Sequence, residues 1–213
     1  MRIARLAGAV LCCLITPMLH AAPAVTVSQD EDAFTLANGI VTAQVAKRSG
    51  NLTSLRFHGL EMLDSGRQSA YWSHNAARGQ QVTGITIDPQ ANGGERGEVS
   101  IKGISGGNQM GSGPGGSVVA DIEIRFALGR GDSGVYTYSI FSHPTNYPAT
   151  SIGEARFCMK LNDDLFDWMT VDSNRNMKMI STYDWNHATQ MNMKEVRRMN
   201  SGLYNGQVEH NYD

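Results

Sequence analysis

Between residues 34 and 63, apolar and polar positions alternate in short runs broken by turn residues. Phe34-Thr35-Leu36 and the run 40–45 are β-prone and flank Ala37-Asn38-Gly39, where an Asn-Gly pair can supply the two positive-φ positions that a tight hairpin turn demands. A second turn at Ser49-Gly50-Asn51 leads into Leu52-Thr53-Ser54-Leu55-Arg56-Phe57. The alternation of that run stays in register with its neighbour only if a bulge intervenes. His58-Gly59 turns the chain again before 60–63, and the opening reads as a β-meander. Further runs follow at 82–87, 99–104, 118–128 and 135–141, each bounded by Gly, Asn, Asp or Pro. In the third of these, Ile122, Ile124, Phe126 and Leu128 share one face while Asp121, Glu123 and Arg125 share the other, as expected of a strand with one wet side. Strand follows strand with no long helical period between them, which predicts an all-β fold, an antiparallel β-sandwich. A helical turn is expected only at 192–198.

The segment 151–162 also alternates in the manner of a strand, with Arg156 on the same side as Glu154 and Cys158. A partly buried guanidinium needs an anion. Two readings stay open from the residues themselves: a structural ion pair with Glu154 or a loop aspartate, and a site for an anionic ligand. The glycine-rich run 106–116 lacks the Gly-Lys-Ser/Thr ending of a phosphate loop and reads as a flexible hairpin connection. Arg130-Gly131-Asp132 sits between two strong strands, where Gly and Asp make a turn.

The two ends change the picture of where the chain works. Arg2 and Arg5, an apolar run at 6–15 and Ala22-Pro23-Ala24 have the form of a signal peptide over 1–24, with a cut after Ala21 as an alternative. Residues 25–213 then form one domain, exported to the periplasm or the exterior, with no membrane anchor. Losing Arg2 and Arg5 leaves 16 Lys and Arg against 20 Asp and Glu, a charge of 16 − 20 = −4, and one cysteine, Cys158. That balance excludes an intramolecular disulfide and gives no electrostatic footprint for nucleic acid. A monomer is expected.

The motifs of serine hydrolases, zinc proteases and dinucleotide enzymes are missing from the sequence. His58, His74, His143, His187 and His210 are scattered and read as turn or surface histidines. Asp163, Asp164, Asp167 and Asp172 read as solvated loop carboxylates rather than a calcium loop. No metal and no cofactor is implied. Lys194, Arg197 and Arg198 read as solvated surface charge, and core packing is the expectation for Trp168 and Trp185.

Three segments carry a family resemblance: FTLANGIVTAQVAKRSGNLTSLRFHGLEMLD from Phe34, IGEARFCMKLNDDLFDWMTVDSNRNMKM from Ile152, and NMKEVRRMNSGLYNGQVEHNYD from Asn192. In order and spacing the chain resembles the N-terminal portion of polysaccharide lyase family 4, the rhamnogalacturonan lyases. The resemblance implies a sandwich of the supersandwich, galactose-mutarotase-like kind, here a truncated one. It also implies a pectic polysaccharide, rhamnogalacturonan I, as partner, cleaved by β-elimination at galacturonate next to rhamnose. Arg156, in Gly-Glu-Ala-Arg-Phe, matches the cation that neutralises the uronate carboxylate. The family's lysine base falls at Asn211, whose amide cannot accept a proton at neutral pH, and His210 beside it is the substitute on offer. The family's acid histidine would fall past residue 213. Two other classes compete with this reading. One is a non-catalytic carbohydrate-binding sandwich using Trp72, Trp168 and Trp185, and the other is a sugar epimerase or mutarotase.

Overall fold

The computed structural model describes residues 22–64, 70–74, 80–110 and 118–210, so most of the expected leader, the glycine-rich run 111–116 and Asn211 lie outside the described residues. Strands form where short β-branched and aromatic runs alternate in polarity. In chain order they are β1 (Thr26–Gln29), β2 (Ala33–Ala37), β3 (Val41–Ala46), β4 (Leu52–Phe57), β5 (Leu60–Glu61), β6 (Ala70–Trp72), β7 (Gln80–Ile87), β8 (Arg96–Ile104), β9 (Asp121–Gly129), β10 (Tyr136–Ser142) and β11 (Phe157–Met159). Two antiparallel sheets result. One runs β1-β2-β3-β4-β6-β11 with β5 on the side of β4, and the other runs β10-β9-β8-β7.

The inward residues of the two sheets meet in one core. Phe34 and Leu36 of β2, with Val41, Ala43 and Val45 of β3, pack against Val99 and Ile101 of β8 and against Ile122, Ile124, Phe126 and Leu128 of β9. All of these side chains are buried. At roughly 1.5–3 kcal/mol for each large apolar side chain removed from water, this contact holds the sandwich together. The expected antiparallel β-sandwich is what forms. The bulge that β4 requires is present: Val45 faces Leu52 while Gln44 faces Ser54, so Thr53 is the extra residue. That offset turns both Leu52 and Leu55 toward the core cluster.

The Asn38-Gly39 turn differs from the expectation. Gly39 alone has positive φ (+79°), and Asn38 does not enter the left-handed region. Asn38 is instead wholly buried (0% exposed). Its Oδ1 accepts from the backbone N–H of Ile40 (3.0 Å) and Val41 (2.8 Å), and its Nδ2 donates to the carbonyls of Gly129 and Asp132, both at 2.9 Å. The amide thus ties the β2–β3 turn to the Arg130-Gly131-Asp132 turn. The latter is a turn as expected, with Gly131 at φ +76° and the Asp132 carboxylate accepting from Gly129 N–H at 2.9 Å.

The exit of the expected leader leans on this same end of the sandwich. Arg130 Nη1 donates to the Ala22 carbonyl (2.9 Å), Ala24 lies where a Cβ on Gly94 would stand (2.5 Å), and Pro23 is 2.8 Å from where a Cβ on Gly39 would stand. On the outer face of the second sheet, the buried Glu98 accepts from Thr86, Tyr138, Arg96 and Arg125. Burial pushes its carboxyl upward, yet these four donors hold it below the usual carboxylate range, so the network is satisfied.

Beyond residue 142 the character changes. The expected strand at 151–162 is reduced to β11, with Leu161 forming an isolated antiparallel bridge to Leu63 beyond it. The helical turn expected at 192–198 is not formed: β15 (Val196–Arg198) occupies its second half, between β14 (Thr189–Gln190) and β16 (Val208–His210). A hairpin of β12 (Trp168–Asp172) and β13 (Arg175–Lys178) precedes the one α-helix among the described residues, α1 (Thr182–Asn186), which Ser181 caps by accepting from Asp184 N–H. Among the described residues past 142, Met199 alone is buried. No helix among the described residues is long and apolar enough to cross a membrane.

Candidate functional site

The edge strand β11 pairs with β6 so that Phe157 faces Trp72 and Cys158 faces Tyr71. Alternation then sends Phe157 and Trp72 toward the core cluster and Tyr71, Arg156 and Cys158 to the opposite side. Backbone bonds fix Arg156 at this edge: Ser73 N–H donates to its carbonyl (2.8 Å) and its own N–H donates to the Ser73 hydroxyl (3.1 Å). On that outer side the chain leaves a cleft of about 960 Å³. Tyr71, Arg156, Cys158 and Lys160 form one wall, the β12–β13 hairpin a second, and Trp185, Glu209 and His210 close it.

Of the two open readings of Arg156, the ion pair is the one the structure shows. The arginine Nε meets Glu154 Oε1 at 3.1 Å, with side chains 39% and 27% exposed. The approach is coulombic, since neither atom is aligned for a hydrogen bond. Arg156 nevertheless lines the cleft. Lys160 stands four residues beyond Arg156, lines the same cleft, and forms no ion pair among the described residues. His210, the last described residue of β16, faces Val196 across the ladder and lines the same cleft. The fold therefore brings Arg156 and His210 together from positions 54 residues apart, whereas Asn211 lies outside the described residues.

Other expected positions resolve differently. His74 is not a surface histidine: it is 7% exposed, stacked on Trp72 at 5.4 Å and edge-on to Phe141 at 4.7 Å, with neither ring nitrogen hydrogen-bonded. Burial lowers its pKa to about 4. Trp168 is exposed (58%) rather than packed in the core, and every residue of its strand β12 is exposed. Trp185 is half-buried in the cleft, with the Arg197 guanidinium 5.2 Å from its ring and Arg197 Nη1 donating to its carbonyl, so Arg197 is not a free surface charge. Asp167 pairs with Lys178 at 3.2 Å, and Asp163 accepts from Thr182 at 3.4 Å. The methionines of the hairpin went unremarked in the sequence. The signal was there, since Met169, Met177 and Met179 fall on one face of a two-strand pattern.

The fold is that of an antiparallel β-sandwich protein with an open cleft whose lining includes Arg156 and Lys160. The model of the rhamnogalacturonate lyase family matches residues 14–201, and the chain belongs to that family. Arg156 and the hairpin lie inside the matched span, and His210 lies beyond it. No curated protein matches the chain closely enough to count as a relative. Membership makes the function lyase-related and a pectic polysaccharide the substrate class.

Proposed function

We propose that the chain is exported and grips the backbone of rhamnogalacturonan I in the cleft, with Arg156 neutralising the carboxylate of a galacturonate whose C5 proton is to be removed. The observation that carries this reading is the presence of Arg156 and His210 on one cleft. β-Elimination breaks the C5–H bond to a base and the C4–O bond to the leaving sugar, forms the C4–C5 double bond, and returns a proton to the departing oxygen. The first step is unfavourable because negative charge develops on the uronate. A guanidinium held against the carboxylate lowers that cost. Glu154 takes up Arg156 through Nε and leaves the two terminal nitrogens for an end-on, bidentate grip.

The base is the weak point of the machinery. Asn211 stands where the lysine base of similar sequences falls, and its amide accepts no proton, so His210 is the neighbouring group with a basic lone pair. The chain accordingly binds the polymer and turns it over slowly or not at all. Mixing purified protein with rhamnogalacturonan I and following the ultraviolet absorbance of unsaturated uronate tests this directly. Expected are a low rate in the chain as it stands, a gain in Asn211→Lys, and at least about tenfold weaker binding in Arg156→Gln. Unchanged binding in Arg156→Gln overturns the assignment. Tight binding with no turnover even in Asn211→Lys favours a non-catalytic carbohydrate-binding sandwich.

A further inference from the structure

One face of the β12–β13 hairpin concentrates sulfur. Met169 stands directly opposite Met177 in the ladder, so both side chains leave the same face, with Cβ atoms about 5 Å apart. The pairing runs on past β13, where Met179 N–H donates to the Asp167 carbonyl at 2.7 Å. Two residues beyond Met177, Met179 falls on that face too. All three methionines line the cleft, whereas Trp168, Thr170, Asn176 and Lys178 on the opposite face do not. The usual task of methionine, filling gaps in a core, does not apply here: Met169 and Met179 are 42% and 48% exposed, and none of the three belongs to the buried cluster.

A thioether sulfur is a neutral, polarisable, soft donor. It selects soft monovalent ions such as Cu(I) and Ag(I), while Mg(II) and Ca(II) take oxygen and Zn(II) prefers thiolate and imidazole. A cross-strand pair with a third residue at i+2 sets three unbranched, freely rotating side chains around one point above the ladder, which is the arrangement a three-coordinate soft ion requires. Among the described residues no three His, Cys, Asp or Glu side chains are grouped to hold a metal ion, so the thioethers have no harder rival there. The cations of the same lining do not forbid a further positive charge: Glu154 takes up Arg156 at 3.1 Å, and Glu209 sets a carboxylate against Lys160 in the cleft. We propose that Met169, Met177 and Met179 form a binding site for a soft monovalent metal ion, Cu(I) or Ag(I). The site uses nothing of Arg156 and is independent of the polysaccharide reading.

Silver(I) nitrate in chloride-free buffer is the probe, because Ag(I) is redox-silent. The full chain is used with Cys12→Ser, Cys13→Ser and Cys158→Ser, which removes every thiol that would compete for the ion. Calorimetry should show one tightly held Ag(I) per chain. With the methionine methyl groups isotopically labelled, three NMR signals should shift together on adding the first equivalent, and Met169→Leu, Met177→Leu and Met179→Leu should each delete one of them. Leucine conserves volume, so the double variant Met169→Leu, Met177→Leu should fold and yet bind Ag(I) at least about a hundredfold more weakly, since even outer-shell changes at a metal site cost 10- to 100-fold. Affinity should hold constant from about pH 7 to pH 5.5, where an imidazole titrates and a thioether does not, and Zn(II) should not compete. Absence of binding, binding unchanged in the double variant, or a shift of only one methionine signal overturns the site. A pH-dependent affinity that His210→Ala abolishes assigns the ion to the imidazole and overturns it as well.

Discussion

Arg156 is held by Glu154, Nε to Oε1 at 3.1 Å, on the wall of the cleft it shares with His210. The pair is more than a quarter exposed on each side, so its own coupling is worth little. Its effect on a ligand is larger, because Glu154 places a negative charge close to where a uronate carboxylate would sit.

Replacing that charge tests the electrostatics of the cleft. Glu154→Gln keeps the shape and removes the competitor, so a galacturonate-containing oligosaccharide should bind about two- to fivefold more tightly at low ionic strength, with the gain shrinking as salt rises. Calorimetry at two salt concentrations measures both effects. Weaker binding at low salt would mean that Glu154 serves to orient Arg156 rather than to oppose its ligand.

Asn38→Ala addresses the joint between the two sheets. The change strands two backbone donors, Ile40 and Val41 N–H, and two carbonyl acceptors, Gly129 and Asp132, at a fully buried position. A loss of roughly 2–4 kcal/mol in urea unfolding is expected, with the denaturant slope unchanged. A loss below about 0.5 kcal/mol would show that water replaces the amide without cost.

The meander, the two sheets and the one-sided polarity of β9 were legible because each strand carries its own period-two signal and short turns leave little choice of pairing. Arg156 was legible as a cation needing a partner, and Glu154 is the partner the structure gives it. The role of Asn38 was hidden, because a buried amide and a turn amide look alike until the Arg130 loop is brought against it from about 90 positions away. His74 was misread for a similar reason: nothing local announces that Trp72 and Phe141 will close over it. Past residue 142 the reading failed most. The strands β12 and β14 are short and exposed on both faces, so no burial pattern marks their limits.

His74 makes stability depend on pH in a window of its own. Burial holds its folded pKa at about 4, against an ordinary 6.5, so the unfolded chain binds a proton that the folded chain refuses. The stabilisation is complete above pH 6.5 and is lost as pH falls from 6.5 toward 4, amounting to roughly 3 kcal/mol over the whole window. The carboxylates held low by their donors, Glu98 and Glu123 among them, lose their contribution only below about pH 4.5. Urea titrations between pH 5 and 7 should therefore show a slope that His74→Phe flattens. An unchanged slope would mean that His74 takes up its proton without leaving the fold.

On the proposal that the chain is exported, packing at the Arg130 corner bears on where its leader would be cut. A cut after Ala24 would remove the Ala22 carbonyl that Arg130 Nη1 uses at 2.9 Å, the Pro23 ring lying over Gly39, and the Ala24 methyl that fills the space over Gly94. A cut after Ala21 keeps all three and leaves Val25 N–H bonded to the Gly94 carbonyl at 2.9 Å, in line with the start of β1. Intact-mass measurement of the protein recovered from the export compartment should accordingly give a chain beginning at Ala22. Truncating a recombinant chain to begin at Val25 should lower its melting temperature by a few degrees, since Arg130 then keeps only Glu95 and the Gly93 carbonyl. A mature chain found to begin at Val25, with no loss of stability, would show that these contacts form only as the leader passes and hold nothing afterwards.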